Sequence, residues 1–240
     1  MVVLVQGRSG TVKIGILQAG HSPNELTARF GDYDAMFERL LAAPGNRFET
    51  WPVVDGAVPE GPDLADAWVI TGSRCGVYDG DPWIARLEAF LRRANDSEVP
   101  IVGICFGHQL VAQAFGGIVR KFDGGWNCGL QTYDFEGFSK PVKLVAWHQD
   151  QIIEPPAGAR IIASSPRCRY AAMRLGPRIL TVQPHPEFTL DYIRKLATIR
   201  RDVVGEENAR AALDSLESGP ADEFSSYLLG FIRGALTATA

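Results

Sequence analysis

The sequence predicts a three-layer α/β fold, a mostly parallel sheet with helices on both faces and a small antiparallel extension. Three observations predict it. Short apolar runs alternate with helical patterns through the first half of the chain, as βαβ units require. Several of those runs are apolar throughout, which is how strands buried on both faces read. Between Trp126 and Tyr170 the texture changes to short β-like runs punctuated by Gly, Pro and Asp, the mark of an antiparallel extension carrying loops.

Taken in chain order, Lys13 to Gln18 is a short buried strand, followed by a polar loop and a helix around Tyr33 to Leu41. Phe48 to Val54 is a second strand, and Ala67 to Ile70 a third that ends at Thr71-Gly72-Ser73. Pro82-Trp83 opens a helix running to about Ala94, because proline is tolerated in a first turn. Val99 to Ile104 is the next strand, and Leu110, Val111, Ala114 and Phe115 recur at helical spacing behind it. In the extension the β-like runs are Gly129 to Phe135, Val142 to Trp147 and Ile161 to Ala163. Ile179 to Gln183 returns to a buried strand that stops at Pro184. Leu190 to Val204 and Glu223 to Leu236 read as helices joined by a polar stretch around Ser215 to Ala221. With no repeat and no boundary in composition, residues 13–240 read as one domain behind an N-terminal leader, residues 1–12.

Composition narrows the function classes. At 240 residues and 46% hydrophobic, the chain can bury a large core. Its net charge is −4, and no basic stripe with interleaved aromatics exists, so nucleic acid is not an expected partner. No apolar run approaches the ~20 residues of a membrane helix, and the start lacks a signal-peptide cleavage site. Cys75, Cys105, Cys128 and Cys168 are widely spaced and form neither a CxxC pair nor a disulfide framework. A reducing cytoplasm fits that usage. Cysteines and histidines lack metal-ligand spacing, and no phosphate-loop or dinucleotide fingerprint occurs, so neither a metal nor another cofactor is expected.

The segment Gly103-Ile104-Cys105-Phe106-Gly107-His108-Gln109 carries the chemistry. A strand ends in a cysteine with glycine two residues away on either side, and a helix begins at once. That is the pattern of a nucleophile elbow, in which a sharp turn lifts one reactive side chain. The positive end of the following helix favours a thiolate there. On its own, the same cysteine reads equally as a small buried hydrophobe.

A general base decides between those readings. His185 stands in Gln183-Pro184-His185-Pro186-Glu187, directly after a core strand. Pro186 pushes it towards extended geometry, in which His185 and Glu187 share one face and the carboxylate can orient the imidazole. Three other histidines compete. His108 shares a helix face with Cys105 but has no local orienter; His148 lies in a polar turn, Trp147-His148-Gln149-Asp150; His21 follows the first strand in a solvated loop. For an oxyanion, the elbow itself offers the Phe106 N–H. Gly72 permits the close approach a second donor needs, although a glycine there could equally just make the turn.

With these residues in place, the chain resembles the class I (triad-type) glutamine amidotransferases, over about residues 13 to 195. Thr71-Gly72-Ser73, the Cys105 elbow and His185-Pro186-Glu187 occur in the family's order. The resemblance implies a flavodoxin-like sheet, Cys105 as nucleophile, His185 as base and Glu187 as its orienter. It implies oxyanion N–H groups from Gly72 and Phe106, and substrate contacts from Gln109 and from His148, Gln149 and Asp150. Within the family the chain is most similar to free-standing GMP synthase amidotransferase domains and plant γ-glutamyl peptidases. It departs from the former at Gly72-Ser73-Arg74, where they usually read Gly-Gly-Pro.

The implied reaction is hydrolysis of a γ-glutamyl amide, in glutamine or a γ-glutamyl peptide, through a thioester on Cys105. An alternative is a glutaminase that delivers ammonia to a separate synthetase subunit. A second alternative is a non-catalytic module that binds a γ-glutamyl ligand. Oligomeric state has no signal in the sequence.

Overall fold

The computed structural model describes residues 11–217 and 223–238. Most of the expected leader and part of the polar stretch around Ser215 to Ala221 therefore lie outside the described residues. In chain order the elements are β1 (Val12–Leu17), α1 (Asn24–Phe30), α2 (Tyr33–Leu40), β2 (Asn46–Trp51), β3 (Ala67–Ile70), α3 (Pro82–Asp96), β4 (Ile101–Ile104) and α4 (Phe106–Ala114). The extension holds β5 (Ile118–Lys121), β6 (Asn127–Phe135), β7 (Val142–His148), β8 (Asp150–Glu154), β9 (Ala159–Ser165) and β10 (Cys168–Leu175). The chain then re-enters the sheet as β11 (Ile179–Val182) and continues through α5 (Leu190–Ile199), α6 (Arg201–Val204), α7 (Glu206–Asp214) and α8 (Phe224–Thr237).

The large sheet has the strand order β2-β1-β3-β4-β11-β10-β9-β6-β7. From β2 to β11 neighbouring strands run parallel; from β11 to β7 they alternate in direction. The extension thus continues the central sheet, and β5 and β8 form a separate two-stranded sheet beside it. Alternate residues of the parallel strands feed two cores, as the strand period requires. Ile14, Ile16, Val69, Val102, Ile104, Leu180 and Val182 pack beneath α2 and α8, through Phe37, Phe224, Leu228 and Ile232. Leu17, Trp68, Ile70, Ile101 and Ile179 pack beneath α3 and α4, through Leu87, Phe90, Leu91, Leu110 and Val111. Each fully buried Phe or Leu contributes about 1.5–3 kcal/mol.

Several boundaries differ from the sequence reading for local reasons. β2 stops at Trp51, because Pro52 has no N–H to continue a ladder, and Val53–Asp55 turns instead as a 3-10 helix. The polar loop after β1 contains the short helix α1, opening after Pro23. The helix expected from Leu190 to Val204 is two helices: α5, capped by the Thr189 side chain on the Tyr192 N–H, ends at Arg200, and α6 follows at once. β5, β8 and β10 have no counterpart in the sequence reading. Among the described residues, no helix is long and apolar enough to cross a membrane.

Candidate active site

β3, β4 and β11 lie side by side and parallel, so their C-terminal ends open on one place. That is where an open α/β sheet collects functional groups. β4 runs directly into Cys105, whose N–H donates to Val182 O at 2.9 Å, tying it to the end of β11. Cys105 has φ 53° and ψ −101°, and α4 starts at the next residue. A β-carbon in that conformation is strained by about 1–3 kcal/mol. The glycines make the turn possible: a Cβ on Gly103 would sit 2.5 Å from Gly107 O.

β11 delivers the second group. Pro184 ends the ladder, and His185 is held by its N–H donating to Val145 O at 2.7 Å. Its ring stacks flat on Phe188, with centroids 4.2 Å apart and planes at 2°. His185 Nδ1 donates to Glu187 Oε1 at 2.6 Å, and both side chains are buried. His185 Nε2 is buried without a hydrogen-bond partner. Burial alone would lower the imidazole pKa, but the Glu187 carboxylate and the Cys105 sulfur raise it to about 10. The ring therefore lies between a carboxylate and a sulfur that both favour its protonated form.

β3 brings Gly72 to the same point. A Cβ on Gly72 would lie 2.9 Å from His185 Cε1 and 3.8 Å from Cys105 Cβ, so a side chain there would push against the imidazole. The preceding Thr71 is fully buried; its hydroxyl accepts from the Ala19 N–H and donates to Gly72 O, pinning the turn. Phe106 is the first helical residue of α4, where an N–H has no intrahelical acceptor.

The competing histidines are committed elsewhere. His108 is fully buried between Thr181 Oγ1 at 2.7 Å and Tyr170 O at 2.8 Å, and burial lowers its pKa to about 4. His148 donates from Nδ1 to Asp150 O and accepts from the Asn127 amide; burial lowers its pKa to about 3. Both are neutral rings fixed by two partners. His21 is not simply solvated: it lies 2.6 Å from Asp32 and 3.1 Å from Asp55. Asp32's hydrogen bond, against burial and with help from Asp55, raises its pKa.

A cavity of about 480 Å3 opens over Cys105. Gln109, His148, Gln149 and Asp150 all line it, as do Ser73, Arg74 and Cys75. Tyr78 closes one side by donating to Asp150 Oδ1 at 2.9 Å. The sequence reading missed Gln183, which is fully buried with its amide 3.6 Å from Cys105 Sγ. It also missed the wall made by Trp126, Trp147, Leu196, Arg200 and Val204. Gln183 stands in the His-Pro-Glu segment and could have been found there; the wall joins Trp126 with residues of β7, α5 and α6, which no single motif links. Among the described residues, no group of three or more His, Cys, Asp or Glu could hold a metal ion.

The class I glutamine amidotransferase family model matches residues 65–196, which span Gly72, Cys105 and His185. γ-Glutamyl peptidase 2 of Arabidopsis thaliana is 26% identical, over 94% of this chain and 97% of its own. γ-Glutamyl peptidase 4 of the same plant is 30% identical, over 68% and 71%. A subunit of the glutamine-hydrolysing GMP synthase of Saccharolobus solfataricus is 34% identical, over 47% of this chain and 66% of its own. A crystal structure of a glutamine amidotransferase from Methylobacillus flagellatus has the same fold, with a TM-score of 0.73 at 21% identity over 95% of this chain and 94% of that one. By the match to its model over more than half its length, the chain belongs to the class I glutamine amidotransferase family.

Proposed function

We propose that the chain hydrolyses γ-glutamyl amides through a thioester on Cys105. The observation that carries this reading is the buried His185–Glu187 pair set beside Cys105, whose side chain lines the cavity. The Cys105 thiolate attacks the γ-carbonyl carbon, and the oxyanion is received by the Gly72 and Phe106 N–H groups. As the C–N bond breaks, His185 Nε2 gives its proton to the leaving amine. A water then loses a proton to His185 and attacks the thioester; the C–S bond breaks, and glutamate and the thiolate are released. The net reaction consumes one water and yields glutamate and a free amine. Glu187 holds Nδ1 throughout and keeps Nε2 facing the sulfur.

Two features support a peptide-like substrate over glutamine alone. A cavity of about 480 Å3 is in the range that takes drug-sized ligands, larger than glutamine needs. The γ-glutamyl peptidases of Arabidopsis match nearly the whole chain. The GMP synthase relative supports the other reading, a glutaminase working for a separate synthetase. A thiol of this kind needs reducing surroundings, and all four cysteines are free, so we read the setting as cytoplasmic. The test is a substrate panel on the purified chain, comparing glutamine with γ-glutamyl dipeptides by glutamate release. Release from dipeptides by the chain alone is expected. Turnover of glutamine only when a synthetase is added would refute the stand-alone reading.

A further inference from the structure

The side chains of Gln109 and Gln183 form a chain of hydrogen bonds that ends on the Cys105 sulfur. Gln109 Nε2 donates to Asp150 O at 2.9 Å and to Gln183 Oε1 at 3.1 Å. Gln183 Nε2 in turn donates to Cys105 Sγ at 3.6 Å. Gln183 is fully buried and Gln109 nearly so. The backbone holds both in place: the Gln109 N–H donates to Cys105 O, one turn up α4, and the Gln183 N–H donates to Ala171 O.

The polarity of this chain has only one solution. The Asp150 carbonyl can only accept, so the Gln109 amide must point its NH2 group that way. That same NH2 reaches Gln183, whose oxygen must then face Gln109 and whose NH2 must face the sulfur. Reversing the Gln183 amide would set donor against donor at one end and a carbonyl oxygen against sulfur at the other. What reaches Cys105 is thus a donor with no acceptor capacity, since an amide nitrogen has none. A donor suits a thiolate, which accepts strongly, and offers nothing to a thiol proton.

We propose that Gln183 is a catalytic residue whose side-chain N–H holds the Cys105 sulfur as thiolate, and that Gln109 is the positioning residue that fixes the direction of the Gln183 amide. This rests on the reading of Cys105 as a nucleophile. The other titratable groups coupled to the sulfur are His185, Tyr33, Tyr133 and Cys168. Only His185 also offers it a cation, so His185 and Gln183 share the task of stabilising its charge. Gln109 meets the substrate cavity as well, which couples ligand contact to the state of the sulfur.

The test is alkylation of Cys105 by iodoacetamide in the folded full chain, followed on the Cys105 peptide by mass spectrometry across neutral to alkaline pH. Gln183→Leu keeps the apolar bulk but has no N–H. It is expected to slow alkylation about tenfold near pH 7, the loss of one hydrogen bond to a charged group. The deficit should shrink as pH rises and base supplies the thiolate. Gln183→Glu, nearly isosteric, places a carboxylate against the sulfur and should slow alkylation further. Gln109→Leu frees the Gln183 amide to turn and should give a smaller deficit of the same pH dependence. Equal rates in wild type and folded Gln183→Leu near pH 7 would overturn the proposal. So would a deficit of constant size at every pH, which marks lost access to the sulfur. If Gln183→Leu does not fold, Gln183→Glu decides, and a wild-type rate in that variant overturns the proposal. A chain that shows the pH-dependent deficit yet releases no glutamate from any γ-glutamyl substrate refutes the proposed function and leaves the role of Gln183 standing.

Discussion

Glu187→Gln isolates what the carboxylate does to His185. The imidazole sits at about 10 against an ordinary 6.5. At about 1.4 kcal/mol for each tenfold change in proton affinity, the charged ring is favoured by about 5 kcal/mol over its ordinary environment. Burial opposes that figure, and Glu187 and the Cys105 sulfur together overcome it. Glutamine keeps an acceptor for Nδ1–H but removes the carboxylate charge. Burial then dominates, and His185 should titrate below its ordinary value, leaving the ring neutral at about pH 7.5. The sign for stability follows from linkage. A folded pKa raised above the unfolded one stabilises fully below about 6.5 and fades as pH climbs to about 10. Wild type should therefore exceed Glu187→Gln in stability more at about pH 6 than at about pH 10, by on the order of 5 kcal/mol. The assay is NMR titration of labelled histidine, with the His185 signal assigned by its loss in His185→Gln, alongside urea unfolding at the two pH values. A His185 still titrating above about 9 in Glu187→Gln would refute the electrostatic reasoning.

Other outcomes follow from the same geometry. Cys105→Ala should abolish glutamate release, whereas Cys75→Ala, Cys128→Ala and Cys168→Ala should retain it, read by the same release assay; burial pushes the Cys128 and Cys168 thiols up to about 12. His185→Ala should remove turnover and His148→Ala should lower it far less, because His148 is a neutral ring held on both nitrogens. Gly72→Ala drives a Cβ to 2.9 Å from His185 Cε1 and should cut kcat about a hundredfold or more. Its thermal unfolding should shift far less than that of Gly103→Ala, whose Cβ meets Gly107 backbone at 2.5 Å and should cost about 1–3 kcal/mol.

The parallel half of the fold was legible because burial on both faces leaves a plain mark. β3, β4 and β11 are buried at every position, and glycine or proline stands within about three residues of each C-terminal end. The antiparallel half was harder. β10 carries Arg169, Tyr170 and Arg174 among buried alanines, so its pattern is neither continuous nor cleanly alternating. β8 begins on Asp150 and Gln151, which read as turn residues until β5 pairs with them. The site divides in the same way. The Cys105 elbow and the His185–Glu187 pair are each written in one short segment, and the pairing of β4 with β11 brings the two segments together. The relay from Asp150 through Gln109 and Gln183 connects three segments that only the folded sheet brings together. Trp126 and Leu196 come from distant segments and line the same cavity only in the folded chain.

Several departures from ordinary packing rules meet around Cys105, although Asn46, Asn127, Tyr133 and Ser165 also bury unpartnered oxygens. Cys105 and Glu98 are the non-glycine residues with positive φ among those described, and only Cys105 is buried. His185 Nε2 and Glu187 Oε2 are buried without hydrogen-bond partners. An ion pair and two glutamine amides are buried within the same shell. Each departure costs on the order of 1–3 kcal/mol, and a domain's whole stability is only about 5–15 kcal/mol. They persist because the two sheet cores flank them: Ile104 and Val182 anchor one side, and Phe106 and Leu110 the other. A structural role for Cys105 would need none of these departures, since a buried thiol packs well in an unstrained strand. A nucleophile needs all of them: the strain lifts the sulfur, the unpartnered Nε2 faces it, and the relay supplies its donor. The coincidence of backbone strain, a buried ion pair and a buried amide relay at the ends of β4 and β11 is therefore itself an argument for chemistry there.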